Sequence, residues 1–334
     1  MENIQSQLKS IARAVQYRQP LLAQQQALRL YNGFYEGYPG LVLDRYGSAL
    51  IILDHGLPND AEALCKELAQ WALTQDFGIE SVLLKQRGAE DEDRKNGLLI
   101  AGEKLPDRVK EWDVQYALDL KINQDASFYL DTRNLRRWLL DHGAGKRVLN
   151  TFAYTGSLGV AAGMGGANLV VQTDLSDKFM QLSQISWELN ELMSKKQQIR
   201  PGDFFRVAGR MRNSERLFDV VILDPPFFST TSAGRVDQQG ETTRLINKVR
   251  PLVAHGGKLI AINNALFLPG AASIAELEAL CRSDYLSLGE IIPVPEDITG
   301  YPETIVDIPP ADPAPFNHPT KIAVLNVTRK DKRK

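Results

Sequence analysis

Val148-Leu149-Asn150-Thr151-Phe152-Ala153-Tyr154-Thr155-Gly156 runs from an apolar strand into a Thr/Gly turn, and the Ala/Gly-rich residues 157–165 continue as a helix. A tight strand-to-helix turn presents backbone N–H groups and a helix amino terminus, which suit a carboxylate or a phosphate. Only Gly156 occupies what would be a three-glycine pattern, so the stretch is not a dinucleotide fingerprint. Taken alone, a plain structural turn explains it as well as a binding turn does.

Downstream, the same alternation recurs. Residues 168–173 read as a strand ending at Asp174, and residues 177–192 as a helix whose Phe179, Leu182, Ile185, Leu189 and Leu192 recur every three or four positions. A strand at 218–223 ends in Asp224-Pro225-Pro226. A helix at 242–250, a Gly256-Gly257 turn, a strand at 258–263, a helix at 272–283 and strands near 286–292 and 321–328 follow. Strand and helix in alternation predict a mainly parallel α/β sheet, with ligands at the carboxyl ends of its strands. Those ends carry Asn150, Asp174, Asp224 and Asn263, four polar residues closing four apolar strands. The Pro-rich stretch 293–319 reads as a long loop.

Upstream the texture differs. Residues 1–27 read as a helix, and residues 28–118 as a small α+β domain suited to substrate or RNA recognition. That domain holds a hairpin around Gly47, a helix at 60–75 with Ala63, Leu64, Leu68 and Trp71 on one face, and strands at 81–85 and 98–100. Residues 112–120 read as its exit strand or as the first strand of the next unit, and residues 119–334 form the larger α/β domain.

Composition limits the function classes. At roughly 100–200 residues per domain, 334 residues predict about two domains. The 43% apolar and 24% charged fractions exclude a disordered or fibrous chain. Apolar runs fall far short of the ~20 residues of a membrane span, and the amino terminus lacks a signal-peptide pattern. The expectation is a cytoplasmic protein. Cys65 and Cys281 cannot build a disulfide framework, and four His show no zinc signature, so no metal is expected. With 39 Lys+Arg against 41 Asp+Glu, any nucleic-acid binding must use a local basic patch. Lys195, Lys196, Arg200, Arg206, Arg210, Arg212 and Arg216 crowd one such segment, although charge runs are usually solubilising surface.

Three further stretches carry chemistry. Asp174 can accept both hydroxyls of a ribose; the competing reading is a helix cap, for which Ser176 and Asp177 also contend. Asp203-Phe204 can bind an adenine amino group and cover its face, or be ordinary surface. Leu223-Asp224-Pro225-Pro226-Phe227-Phe228-Ser229 is the most specific. Two prolines make a rigid turn with free carbonyls. Asp224 and the Pro225 carbonyl can then accept from a planar base on which Phe227 or Phe228 stacks, at ~1–3 kcal/mol.

Together, in this order, these stretches resemble class I S-adenosylmethionine-dependent methyltransferases, and Asp224-Pro225-Pro226-Phe227 is similar to the (Asp/Asn)-Pro-Pro-aromatic motif of nucleobase-nitrogen methyltransferases. Residues 128–136 (Phe-Tyr-Leu-Asp-Thr-Arg-Asn-Leu-Arg), 150–156 and 37–47 resemble the bacterial large-subunit ribosomal RNA methyltransferases, which include cytosine-C5 and guanine-N7 members. The likeness covers about residues 28–328 and is nearest the guanine-N7 unit of the bifunctional ribosomal RNA guanine methyltransferase. The 27 residues ahead of the first strand are too few for the PUA module that precedes the corresponding region in cytosine members.

The resemblance implies a Rossmann-like fold and S-adenosyl-L-methionine as cofactor. It implies Gln124, Tyr129, Asp131 and Arg133 at the methionine end, and Phe152, Tyr154, Thr155 and Gly156 as the cradle. It further implies Asp174 with Leu175 at the ribose, Asp203 and Phe204 at the adenine, and Asp224, Pro225, Pro226 and Phe227 facing the methyl group and the acceptor base. It implies ribosomal RNA as partner, no membrane, and an open oligomeric state, a homodimer included. Cytosine-C5 transfer needs a thiolate to attack the ring. In the cytosine members a cysteine follows the strand at 258–263; here Asn263-Asn264-Ala265 stands there. Guanine N7 carries its own lone pair and needs only placement, whereas an exocyclic amine needs its lone pair freed by acceptors such as Asp224 and the Pro225 carbonyl; the motif fits both, and the resemblance implies guanine in RNA. The alternatives are an exocyclic base amine (guanine N2 or adenine N6), a protein or small-metabolite substrate, and a binding module without turnover.

Overall fold

The computed structural model describes residues 2–57, 61–214, 216–231, 234–238 and 242–332. Its chain packs as two units, Met1–Leu130 with Pro295–Ile308, and Asp131–Val294 with Pro309–Lys334.

In the first unit, β1 (Ala27–Asn32), β2 (Leu41–Tyr46), β3 (Ala49–Asp54), β4 (Ser81–Gln86) and β5 (Leu98–Ala101) pair in that order, with β3 and β4 parallel and the other neighbours antiparallel. The helix Ala61–Leu73 makes the parallel crossover and buries Leu64, Cys65, Leu68 and Ala69, while Ala63 faces solvent. From the helix Glu2–Tyr17, Ile11, Ala14 and Val15 enter the same core.

Residues 112–120 are not one strand. β6 (Arg108–Glu111) and β7 (Val114–Ala117) form a hairpin, and Trp112 takes φ +51° in its turn. The following residues stay with this unit. The Tyr116 and Phe128 rings lie 4.8 Å apart, and the Tyr46 hydroxyl donates to the Phe128 carbonyl at 2.8 Å. The compact unit therefore runs to residue 130, beyond the expected boundary at 118.

Part of the expected 293–319 loop completes this unit through a helical turn, Glu296–Thr299. Arg18 and Glu36 form a fully buried ion pair at 2.9 Å. Burying two charges is costly unless their remaining valences are met. Here Arg18 Nη2 also donates to the Asp297 carbonyl at 2.9 Å. Glu36 accepts from the Asn32 amide at 2.7 Å and the Thr304 hydroxyl at 2.6 Å.

The second unit holds β8 (Arg147–Thr151), β9 (Leu169–Thr173), β10 (Gln197–Ile199), β11 (Phe218–Leu223), β12 (Phe228–Thr231), β13 (Gly234–Asp237), β14 (Val253–Asn263), β15 (Leu286–Ile291) and β16 (Lys321–Val327). Its main sheet runs β10-β9-β8-β11-β14-β16-β15, parallel from β10 to β14, with β16 antiparallel to both neighbours. Leu149, Val171, Val221, Leu259 and Leu325 line its core. Strand order reverses between β8 and β11, the position where such sheets open a ligand crevice.

Three local readings change. Gly256-Gly257 is no turn: it lies inside β14, in a bulge where Phe218 pairs with Val253 and Val220 with Lys258. The helix Asp177–Leu189 buries Met180, Ser183, Ser186 and Trp187, leaving Ile185 47% exposed, so its core face is turned from the one its periodicity predicts. A helix at Phe204–Asn213 and the antiparallel β12–β13 hairpin, both absent from the expected element order, precede and follow β11 in the chain. Among the described residues, no helix is long and apolar enough to cross a membrane, and no group of three His, Cys, Asp or Glu is placed to hold a metal ion.

Candidate active site

The turn after β8 is built on unusual backbone. Phe152 and Tyr154 take φ +54° and +50°, and Gly156 takes φ +80° as the cap of the helix Ser157–Met164. Left-handed non-glycine residues cost of order 1–3 kcal/mol each and persist only where their surroundings fix them. Here Ala153 N–H donates to the Thr173 carbonyl and Tyr154 N–H to Asp174 Oδ2, both at 2.9 Å. A Cβ on Gly156 would meet Ser183 Oγ of the helix Asp177–Leu189 at 2.2 Å, and one on Gly159 would meet Gln172 Oε1 of β9 at 2.3 Å, so both close approaches require glycine. Thr155 is buried. Asn150 Nδ2 donates to Gln172 Oε1 at 3.2 Å, while its Oδ1 is buried with no donor among the described residues.

Asp174 closes β9. Its second oxygen accepts from the Ser176 amide at 3.0 Å, and burial raises its pKa against the backbone hydrogen bonds that favour the charge. The helix cap is Ser176, whose Oγ accepts from Phe179 N–H, so Asp174 does not serve as that cap. Leu175, beside it, is 65% exposed. Asp203, by contrast, caps the helix Phe204–Asn213 by accepting from Arg206 N–H at 3.0 Å, and its other oxygen accepts from the Thr231 hydroxyl of β12. Phe204 is buried, its ring stacked on Phe152 at 4.5 Å.

Asp131 Oδ2 accepts from the Thr320 hydroxyl at 3.0 Å. Arg133 and Arg136 are both buried, and Arg136 donates to Thr132 Oγ1 at 2.8 Å. Gln124 and Tyr129 belong to the first unit. Gln124 is exposed there, and Tyr129 donates its hydroxyl to Asp125 at 3.0 Å.

At the end of β11, Asp224 is half-buried. Burial, and then the nearby charge of Asp131, push its carboxyl up to about 7 against a hydrogen bond from Asn264. That bond runs from Asn264 Nδ2 to Asp224 Oδ1 at 3.4 Å. Pro225 is buried, while Phe227 and Phe228 are 51% and 55% exposed, and the Arg235 guanidinium lies 5.1 Å from the Phe228 ring centre. The Pro225 carbonyl accepts from the side chain of Gln238, which also accepts from Asn264 N–H. Gln238, Thr231 and Thr320 are contacts that sequence reasoning missed. Gln238 sits in an unremarkable Asp-Gln-Gln-Gly run, with no pattern to mark it.

Neither thiol takes part in this arrangement. Cys65 lies buried in the first unit, its pKa raised to about 11 by burial. Cys281 ends the helix Gly270–Cys281, half-buried, with its pKa also raised by burial.

A family model described as S-adenosylmethionine-dependent methyltransferase matches residues 50–283. The chain belongs to this family. It is 32% identical over 236 residues to ribosomal RNA large subunit methyltransferase I of Aeromonas salmonicida (strain A449), covering 68% of this chain and 58% of that protein. It is 30% identical over 248 residues to ribosomal RNA large subunit methyltransferase K/L of Shewanella amazonensis (strain ATCC BAA-1098 / SB2B), covering 71% of this chain and 34% of that protein. The chain thus matches between a third and three-fifths of the length of these relatives. The crystal structure of SMU.776 complexed with SAH superposes with a TM-score of 0.83 at 22% identity, covering 97% of this chain and 82% of that one, a likeness of fold. The methyltransferase uses S-adenosyl-L-methionine, and its residues fit that group. The left-handed turn, the orphaned Asn150 oxygen and the partly open Asp174 carboxylate stand together at the ends of β8 and β9.

Proposed function

We propose that this methyltransferase acts on a guanine nitrogen of large-subunit ribosomal RNA, N7 in preference, by direct in-line transfer without a covalent cysteine intermediate. One observation carries the reading: the Asp224-Pro225-Pro226-Phe227 platform is hydrogen-bonded to Asn264, in the place where cytosine chemistry would need a thiolate. The names of the two relatives, both ribosomal RNA large subunit methyltransferases, support the substrate class.

When bound, S-adenosyl-L-methionine supplies a methyl group made electrophilic by its sulfonium. Asp174 would hold the ribose, the turn from Phe152 to Gly156 the methionine portion, with Asp131 and Arg133 beside it. Asp203 and Phe204 would border the adenine, with Leu175 beside Asp174 at the ribose; both Asp203 oxygens already accept from the protein, so an adenine amine there shares an occupied carboxylate. The exposed Phe227 ring offers a stacking face to the base, and the rigid proline turn fixes that face. Because N7 carries an in-plane lone pair, no side chain has to remove a proton. Alignment is the main contribution.

Exposed Arg200, Arg206, Arg210, Arg212 and Arg216, on and beside β10 and the helix Phe204–Asn213, supply the local positive patch that a net charge of −2 requires for RNA. The test is incubation with labelled S-adenosylmethionine and undermethylated ribosomal RNA, followed by nucleoside mass spectrometry. The expected product is 7-methylguanosine. Methylcytosine would overturn the mechanism, and label in protein or small metabolites alone would overturn the substrate class.

A further inference from the structure

Gln238 is 1% exposed, and its side chain and backbone are both engaged around the methyl-transfer platform. Its side-chain N–H₂ donates to the Pro225 carbonyl, and its side-chain oxygen accepts from Asn264 N–H. Its backbone N–H donates to the Phe227 carbonyl at 3.1 Å. Its own carbonyl accepts from Asn263 Nδ2 and from the Thr242 hydroxyl, each at 3.0 Å. One residue thus ties the end of β11 to the end of β14.

The consequence is chemical. A base presenting an exocyclic amine needs acceptors, and the platform has two: the Pro225 carbonyl and the Asp224 carboxylate. Gln238 already takes one lone pair of the first, and Asn264 Nδ2 one oxygen of the second at 3.4 Å, so an incoming amine competes for shared acceptors. Asn264 Nδ2 carries a second N–H. The guanine edge that bears N7 also bears the O6 acceptor, so it meets a donor there, whereas an adenine N6 amine would set donor against donor.

Resting on the guanine reading above, we propose that Gln238 is the positioning and specificity-determining residue of the platform. By capping the Pro225 carbonyl and holding Asn264 over Asp224, it selects a ring nitrogen flanked by a carbonyl oxygen over an exocyclic amine.

Two variants of the full chain test this, Gln238→Leu and Gln238→Glu, assayed on undermethylated ribosomal RNA with product identity, kcat, RNA KM, cofactor Kd and Tm. Gln238→Leu should lower kcat about tenfold or more by misplacing the base, with cofactor Kd within about twofold. In Gln238→Glu, a neutral carboxyl has one O–H donor for the Pro225 carbonyl and one acceptor oxygen for Asn264 N–H, so it can reproduce both amide contacts. Gln238→Glu should therefore approach wild-type rates near pH 6 and fall behind progressively toward pH 9, as the buried carboxyl ionises.

A purely structural residue would not give that pH-dependent rescue. Wild-type kcat in Gln238→Leu, or a Gln238→Glu to wild-type ratio that is flat with pH, overturns the proposal while leaving 7-methylguanosine as the product. If Gln238→Leu does not fold, the pH ratio of Gln238→Glu decides. Exocyclic methylation by the wild type overturns the guanine-N7 reading and this proposal with it.

Discussion

The backbone N–H of Tyr154 donates to Asp174 Oδ2 at 2.9 Å, so one carboxylate at the end of β9 holds the left-handed turn that follows β8. Removing that carboxylate should therefore affect two things together. Asp174→Ala is expected to weaken cofactor binding about tenfold or more, equivalent to about 1.4 kcal/mol. It should also lower stability by roughly 1–3 kcal/mol, because two half-buried backbone amides lose their acceptor. Calorimetric titration and thermal unfolding check both, and unchanged cofactor affinity would remove Asp174 from the site.

Gly156 offers a test of backbone geometry alone. With φ +80° and Ser183 Oγ 2.2 Å from an added Cβ, Gly156→Ala combines conformational strain with a clash. A loss of about 2 kcal/mol or more in stability is expected, with cofactor binding impaired beyond it. A Tm equal to wild type would show that the turn relaxes freely.

Asp224 gives a pH signature. Its folded pKa, raised to about 7, lies above the ordinary carboxylate value, so the folded state keeps a proton that the unfolded chain releases. Stability from this group is present in full below pH ~4 and declines as pH rises to ~7, by at most about 1.4 kcal/mol per pH unit. Asp224→Asn should consequently stabilise the protein more at pH 8 than at pH 5 in urea unfolding. Equal effects at both pH values would contradict this. Asp224→Ala should abolish methyl transfer while sparing cofactor binding.

The thiols are expected to be dispensable. A Cys65→Ala/Cys281→Ala double variant should keep methyl-transfer activity within about twofold, with at most a modest stability loss of about 1 kcal/mol from the buried Cys65. Loss of activity with intact folding would reinstate a covalent route.

Binding to RNA through the arginines around β10 should weaken steeply with salt. Replacing Arg210 and Arg212 with Gln should flatten the slope of log K against log[salt] by up to about two, measured by filter binding. A salt-independent interaction would argue against this patch.

The central strands were legible because their apolar runs are bounded by Asn150, Asp174, Asp224 and Asn263, and a buried parallel strand needs little more than that pattern. Elements that depend on tertiary partners were not legible. The β6–β7 hairpin turns at Trp112, whose φ of +51° replaces the glycine that would signal a turn. The Arg-rich helix Phe204–Asn213 has only a short apolar face, and its cap, Asp203, reads equally well as a ligand. The helix Asp177–Leu189 misleads because Ser183 and Ser186 are buried; Gln172, on β9, donates from Nε2 to Ser183 Oγ at 2.6 Å. Within the site, the acidic and aromatic residues announced themselves by type. Gln238 acts through contacts that no local pattern encodes.

The buried Arg18–Glu36 pair has a consequence for how the protein is made. Its last partners, the Asp297 carbonyl and the Thr304 hydroxyl, emerge from the ribosome long after residue 130. At about 5–20 residues per second, the interval is roughly 8–35 s. During that time an otherwise synthesised amino-terminal sheet holds an ion pair with unmet valences. Guarding of the nascent sheet by a chaperone would then be timed by a strap encoded well downstream of the sheet it completes.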